Sequence, residues 1–199
     1  MRILRASFKP SSRFIFLLSA VICILASPVA SAEQEGERVN KVKAAFVLNV
    51  ARFVTWPTEA FDGDDDRLML CYYRSQPFAG GLDSISNKTV SGRQLAITQV
   101  NHLSEAKSCH ILLISPPQMK AFAKEVHTGL TQPILTIADR THVTPGTAEA
   151  ASVPRGVLVS LVRDGPRIGF EIDLSRSRSV GLRMSSQLLK HAHIVGGGS

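Results

Sequence analysis

Four segments of this chain are almost unbroken apolar runs: Leu68–Tyr73 (LMLCYY), His110–Ser115 (HILLIS), Ile134–Ala138 (ILTIA) and Val157–Val162 (VLVSLV). A strand with one face in water alternates apolar and polar residues. A run without that alternation is buried on both faces. Two-sided burial requires a cover on each side of the sheet, and stretches with helical character separate these runs. The expected fold is therefore α/β: a mainly parallel sheet flanked by helices on both faces, Rossmann-like and three-layered. Val157–Val162 and Arg167–Leu174 face each other across Asp164-Gly165-Pro166, which predicts a C-terminal antiparallel strand pair at the edge of the sheet.

The covering elements are read from periodicity. Val42, Ala45, Phe46, Leu48, Asn49 and Phe53 recur at helical spacing, with Asn40 as N-cap and Pro57 closing the run after Trp56. A short helix is expected near Pro77–Ile85, a strand at Leu95–Val100 and a helical turn at Ser104–Lys107. Pro116-Pro117 opens a helix reaching about Thr128, since proline is tolerated in a first turn. A closing helix is expected over Ser185–His193, and the stretch from Arg140 to Arg155 reads as an irregular excursion.

The N-terminus bears on compartment. Arg2, Arg5, Lys9 and Arg13 precede an apolar stretch from Phe14 to Ala26, followed by Ser27-Pro28 and Ala30-Ser31-Ala32. A basic start, a short apolar core and an A-x-A site describe a secretory signal peptide cleaved after Ala32. The apolar stretch is shorter than the ~20 residues of a spanning helix. Residues 1–32 are thus expected as signal, 33–38 as a disordered lead, 39–195 as one domain and 196–199 as a flexible tail. The formal charge of +7 includes the four basic residues of the signal. The remaining cations are scattered, with no basic run interleaved with aromatics, which argues against nucleic acid. Cys23 lies in the signal, leaving Cys71 and Cys109. In an oxidising compartment such a pair forms a disulfide; otherwise it is two buried thiols.

No catalytic or metal-binding constellation emerges. Asp62, Asp64 and Asp66 are spaced like the opening of a calcium loop, but Arg67 and Tyr73 stand where glycine and glutamate are needed. Ser104-x-x-Lys107 lacks the companion motifs of serine–lysine enzymes. His191 and His193 diverge by about 200° on a helix and cannot easily share a metal. His102, His110, His127 and His142 are isolated, and Gly80-Gly81 is no phosphate loop. The expectation is a non-enzyme without metal or cofactor. Phe53 and Trp56 share a helix face; that pair is either core packing at the helix end or an aromatic partner surface.

Taken in order, several segments resemble one family. These are Lys43-Ala-Ala-Phe46…Asn49…Phe53-x-x-Trp56-Pro57, Leu70-Cys71, Pro77-Phe78 and Lys88-Thr-Val-x-Gly92-Arg93. They continue with Cys109–Ile114, Pro133–Thr136…Asp139, Phe170–Leu174 and Gly181–Ser186…Leu188-Leu189. The pattern is similar to the YfiR-like periplasmic family over about Val39 to Val195. The resemblance implies a homodimeric repressor that binds the periplasmic sensor segment of an inner-membrane diguanylate cyclase. It lowers cyclic-di-GMP signalling and so biofilm and exopolysaccharide output. An OmpA-like outer-membrane lipoprotein sequesters such repressors. The resemblance also implies a Cys71–Cys109 bridge. A second bridge of the type member falls in the region of Arg140–Arg155, where this chain has no cysteine. Phe53, Trp56, Arg183 and Leu188 are the candidate partner-binding residues. A small periplasmic ligand-binding domain is the alternative reading, since α/β sheets bind ligands at strand ends.

Export with cleavage after Ala32 is checked by intact-mass analysis of the periplasmic protein, which should begin at Glu33. A full-length chain recovered from membrane or cytoplasm overturns it.

Overall fold

The computed structural model describes residues 28–61, 66–126, 130–144, 146–151, 153 and 155–196. The basic and apolar parts of the signal segment (residues 1–27), the acidic residues Asp62–Asp65, and His127 and Thr128 lie outside the described residues. The chain divides into two compact units, one ending at Arg38 and one starting at Val39.

A helix, α1, spans Pro28–Arg52. Glu33–Arg38, expected as a disordered lead, is helical. Ala, Glu, Gln and Arg are strong helix formers, so a polar stretch of this composition forms a solvated helix as readily as coil. Asn40 consequently caps nothing.

The second unit is built on strands β2 (Leu68–Tyr73), β4 (Arg93–Val100), β5 (Ile111–Ile114), β6 (Leu135–Asp139) and β7 (Val159–Asp164). They lie parallel in the order β4-β2-β5-β6-β7. β8 (Arg167–Asp173) pairs antiparallel with β7 through a tight turn at Gly165-Pro166. The short β3 (Thr89–Val90) closes the far side against β4. The sheet is mixed α/β and mostly parallel, as the apolar runs implied.

Successive residues of the central strands enter two separate cores. Leu70, Ile111, Leu113, Leu135 and Ile137 join one with Ala44, Val47, Leu48 and Ala51 of α1. Cys71, Tyr73, Leu112, Ile114 and Ala138 join the other with Phe122 and Val126 of and beside α2 (Met119–Glu125). This is the period-two geometry of a strand applied to both faces.

Three expectations are corrected. First, the packed face of α1 is Ala44, Val47, Leu48, Val50 and Ala51, which shares only Leu48 with the predicted stripe, Phe46 lying half-buried at its border. Val42 is 47% exposed and Phe53 37% exposed. The segment is apolar on two sides, and the alanine side wins because small residues let the helix sit close to its neighbours. At Gly81 an added Cβ would stand 2.5 Å from the Asn40 carbonyl oxygen.

Second, the closing helix is only α5 (Ser186–Leu189), after which His193–Val195 forms β10. Ile194 and Val195 are β-branched and align with Ile172 and Asp173 of β8, so ladder pairing outweighs helical spacing. Third, the antiparallel pair is not the edge, because β10 adds a further parallel strand outside β8.

Two elements had not been expected. Helix α4 (Leu174–Ser179) is capped by Asp173, whose carboxylate accepts from the Arg176 amide at 2.9 Å. A separate ribbon joins β1 (Val54–Thr55) to β9 (Arg183–Met184). The excursion from Arg140 holds one helical turn, α3 (Ala148–Ala151).

Cys71 of β2 and Cys109, just before β5, form a disulfide with Cα atoms 5.8 Å apart. The bridge closes a 38-residue separation. Replacing both with serine should lower unfolding free energy by up to about 4 kcal/mol in denaturant titrations while leaving the far-ultraviolet circular dichroism native. Unchanged stability overturns a stabilising role.

Candidate functional site

The end of α1 and the C-terminal segment are brought together by the β1–β9 ribbon. Val54 aligns with Met184 and Thr55 with Arg183, and the Ser185 amide donates to the Phe53 carbonyl at 2.9 Å. Ser185 then caps α5, its hydroxyl accepting from the Leu188 amide at 3.2 Å. The result is an open groove of about 540 Å³ between α1, β8 and α5.

Three phenylalanines stand in its walls. Phe46 and Phe53 come from the face of α1 turned away from the sheet, and Phe170 comes from β8. The Phe46 and Phe170 rings meet edge-to-face with centroids 6.4 Å apart. Leu188, 5% exposed, lies at the base, and Lys190, His191 and Gln187 bring polar groups to the lining. Phe53 is exposed while Phe46 and Phe170 are half-buried, and aromatics beside polar groups are the composition enriched at protein-binding surfaces.

The four candidates from sequence separate here. Phe53 and Leu188 share the groove. Trp56 does not: it is 9% exposed, and its Nε1 donates to the His110 carbonyl at 3.1 Å. Arg183 is exposed on the ribbon, outside the groove lining. Phe46, Phe170, Lys190 and His191 had not been named as partner-binding residues, His191 having been weighed only as a metal ligand. Asn49, polar within the predicted apolar stripe, was the available sign that this stripe faces outward; it too lines the groove.

Two polar clusters hold the surrounding frame. The His110 Nδ1 accepts from the Met69 amide at 2.9 Å, so its Nε2 carries the proton toward the Ala60 carbonyl at 2.9 Å. Phe61 stacks on this ring at 4.4 Å, and the Arg93 guanidinium lies 3.8 Å from the centre of the Phe61 ring. Arg93 also pairs with Asp66.

On the other side of the sheet, Glu125 accepts from the Tyr73 hydroxyl at 2.6 Å, the Leu103 amide at 3.1 Å and the Arg74 guanidinium. Burial, reinforced by Glu125, pushes the Tyr73 phenol up from 10.0 to about 12. The Tyr73 hydrogen bond, with the Leu103 amide and Arg74, holds the Glu125 carboxyl below its ordinary value. Both clusters are internally satisfied, which is the signature of structural pins. Among the described residues, no group of three or more His, Cys, Asp or Glu side chains is placed to hold a metal. No described helix is long and apolar enough to cross a membrane.

A family profile described as YfiR/HmsC-like matches residues 40–193. The chain belongs to the YfiR/HmsC-like family. The family is regulatory and non-catalytic. A comparison with curated proteins returns no match.

The Tyr73–Glu125 pair gives a pH signature. Stability from a carboxyl held below its usual value is present at neutral pH and lost as pH falls through the folded value. Stability from a phenol raised to about 12 is complete below pH 10 and lost as pH rises from 10 to about 12. Tyr73→Phe should therefore flatten both limbs of a plot of urea midpoint against pH. Limbs identical to the parent protein rule the pair out as their origin.

Proposed function

We propose that the protein acts in the periplasm, after export and cleavage at Ala32, as a repressor of an inner-membrane diguanylate cyclase. It docks the cyclase's periplasmic sensor segment in the groove beside α1 and lowers cyclic-di-GMP output. The observation that carries the reading is the aromatic groove on a member of a regulatory family.

Repression from outside the membrane is a population shift. The repressor has to bind one conformation of the sensor segment more tightly than the other, because equal affinity moves nothing. Phe53 and Leu188 are read as contact residues and Arg183 as a flanking cation, while Trp56 acts indirectly by holding the end of α1. An OmpA-like outer-membrane lipoprotein relieves repression by competing for the repressor, which works as a homodimer. The two separate cores on opposite sheet faces support a three-layer, Rossmann-like arrangement that keeps this surface rigid.

Phe53→Ala removes an exposed ring and should leave the fold intact while weakening capture of the cyclase segment by about 2 kcal/mol or more. Trp56→Ala removes a core side chain and should cost roughly 3–5 kcal/mol of stability instead. Circular dichroism and pull-down on the two variants separate these effects. The reading fails if Phe53→Ala binds as tightly as the parent, or if deleting the gene leaves cyclic-di-GMP unchanged while the cyclase is expressed.

A further inference from the structure

A second concavity lies away from the groove and shares none of its lining residues. It opens where the chain enters β6 and β7, between the end of α2 and the end of α4, with a volume of about 420 Å³. Small-molecule sites have this size. Its inner wall is apolar: Val126, Ile134 and Leu158 are 3%, 2% and 3% exposed. The two hydroxyls of the lining are already engaged, Ser179 Oγ donating to the Arg176 carbonyl at 2.8 Å. Thr136 Oγ1 donates to the Gly156 carbonyl at 2.6 Å and accepts from the Leu158 amide at 2.9 Å.

The outer part is cationic. Arg155 and Arg176 line it, and no carboxylate does. Arg74, Arg93 and Arg140 are each paired with a carboxylate elsewhere in the fold. Arg155 makes no hydrogen bond or ion pair among the described residues. Arg176 has only a 3.9 Å contact with Asp173, three residues before it on α4. The backbone that carries Arg155 is fixed in place. Gly156 has φ +79°, and an added Cβ would stand 2.5 Å from Val126 Cγ2. The turn is therefore pressed against the end of α2, and the arginine is presented from a tightly packed base.

The buried apolar inner wall favours an apolar body, and two exposed guanidinium groups, one without a carboxylate partner among the described residues and one with only a 3.9 Å contact to Asp173, favour an anionic head. We propose that this cleft binds a small amphiphilic anion, one carboxylate on a short apolar chain, with Arg155 and Arg176 receiving the head. A folded partner is too large for the space, and a neutral ligand leaves the Arg155 guanidinium without a counter-charge. The site is independent of the cyclase-docking reading and stands or falls without it.

The test is a nuclear magnetic resonance titration of the purified ¹⁵N-labelled protein with sodium octanoate, and with octanamide as the neutral match. Octanoate should shift the amides of Val126, Gly156, Leu158 and Val180. Octanamide should bind about tenfold more weakly, and the double variant Arg155→Gln with Arg176→Gln should lose about tenfold in octanoate affinity. Both arginines are solvent-accessible, so the variant's amide spectrum should otherwise match the parent. Three results overturn the proposal: no shifts at millimolar octanoate, equal binding of octanamide, or shifts centred on Phe53 and Phe170. Equal octanoate affinity in a folded double variant overturns it as well.

Discussion

The burial of the central strands on both faces is the constraint from which the rest of the molecule follows. Leu70 and Cys71, or Leu112 and Leu113, are adjacent in sequence yet belong to different cores. A strand of this kind exposes a full apolar face if either cover is lost, so both covers are obligatory. One is α1 together with Trp56, Leu182 and Leu188. The other includes Phe122 and Val126, with Ala106 from the turn before β5. The Cys71–Cys109 bridge lies within this second core, tying β2 to the entrance of β5 where the two strands run side by side.

The groove is a consequence of the first cover. α1 can meet the sheet with its alanine side or its phenylalanine side, and close approach selects Ala44 and Ala51, both 0% exposed. Phe46 and Phe53 are thereby turned outward. Phe46 stays half-buried against the edge of the core, while Phe53 is exposed beside Phe170 and the short C-terminal helix, which the β1–β9 ribbon holds nearby. A binding surface formed in this way is as rigid as the core beneath it, since the same helix serves both. Rigidity is what a conformation-selecting repressor requires, because a surface that adapts to both states of its partner loses the difference in affinity.

What was legible in the residues tracks how locally each signal is encoded. The strand Leu68–Tyr73 was read to its exact ends because it is short, apolar and flanked by polar residues. The β7–β8 hairpin was equally readable, its turn marked by Gly165-Pro166. The orientation of α1 was not, because periodicity shows that a helix has an apolar face without saying which of two faces meets a sheet. β10 was missed for a related reason: three residues gain strand structure only from the open edge of β8, a partner about twenty positions away in the chain. The groove inherits both uncertainties, being formed by the outward face of α1 and the segment leading into β10. Asp173 before Leu174 was a readable cap for α4, overlooked because the preceding strand dominated the pattern.

The excursion after β6 is tied to the rest of the fold by charge and not by a covalent bridge. Between Arg140 and Arg155 there is no cysteine. Arg140, 3% exposed, instead donates to the Glu149 carbonyl at 2.5 Å and pairs with Glu171 of β8 at 3.3 Å. Beside it, Asp139 is held by Lys43 of α1 at 2.8 Å and accepts from the Thr141 hydroxyl, also at 2.8 Å. A buried guanidinium left without its carboxylate is strongly destabilising, so such a pair constrains the chain as long as both partners remain. It does so through charge, and a charge pair is indifferent to thiol chemistry. Outside the segment read as signal, thiol–disulfide chemistry is therefore confined to Cys71–Cys109. That bridge lies in the core under α2, on the opposite side of the sheet from the core that α1 packs into beside the groove.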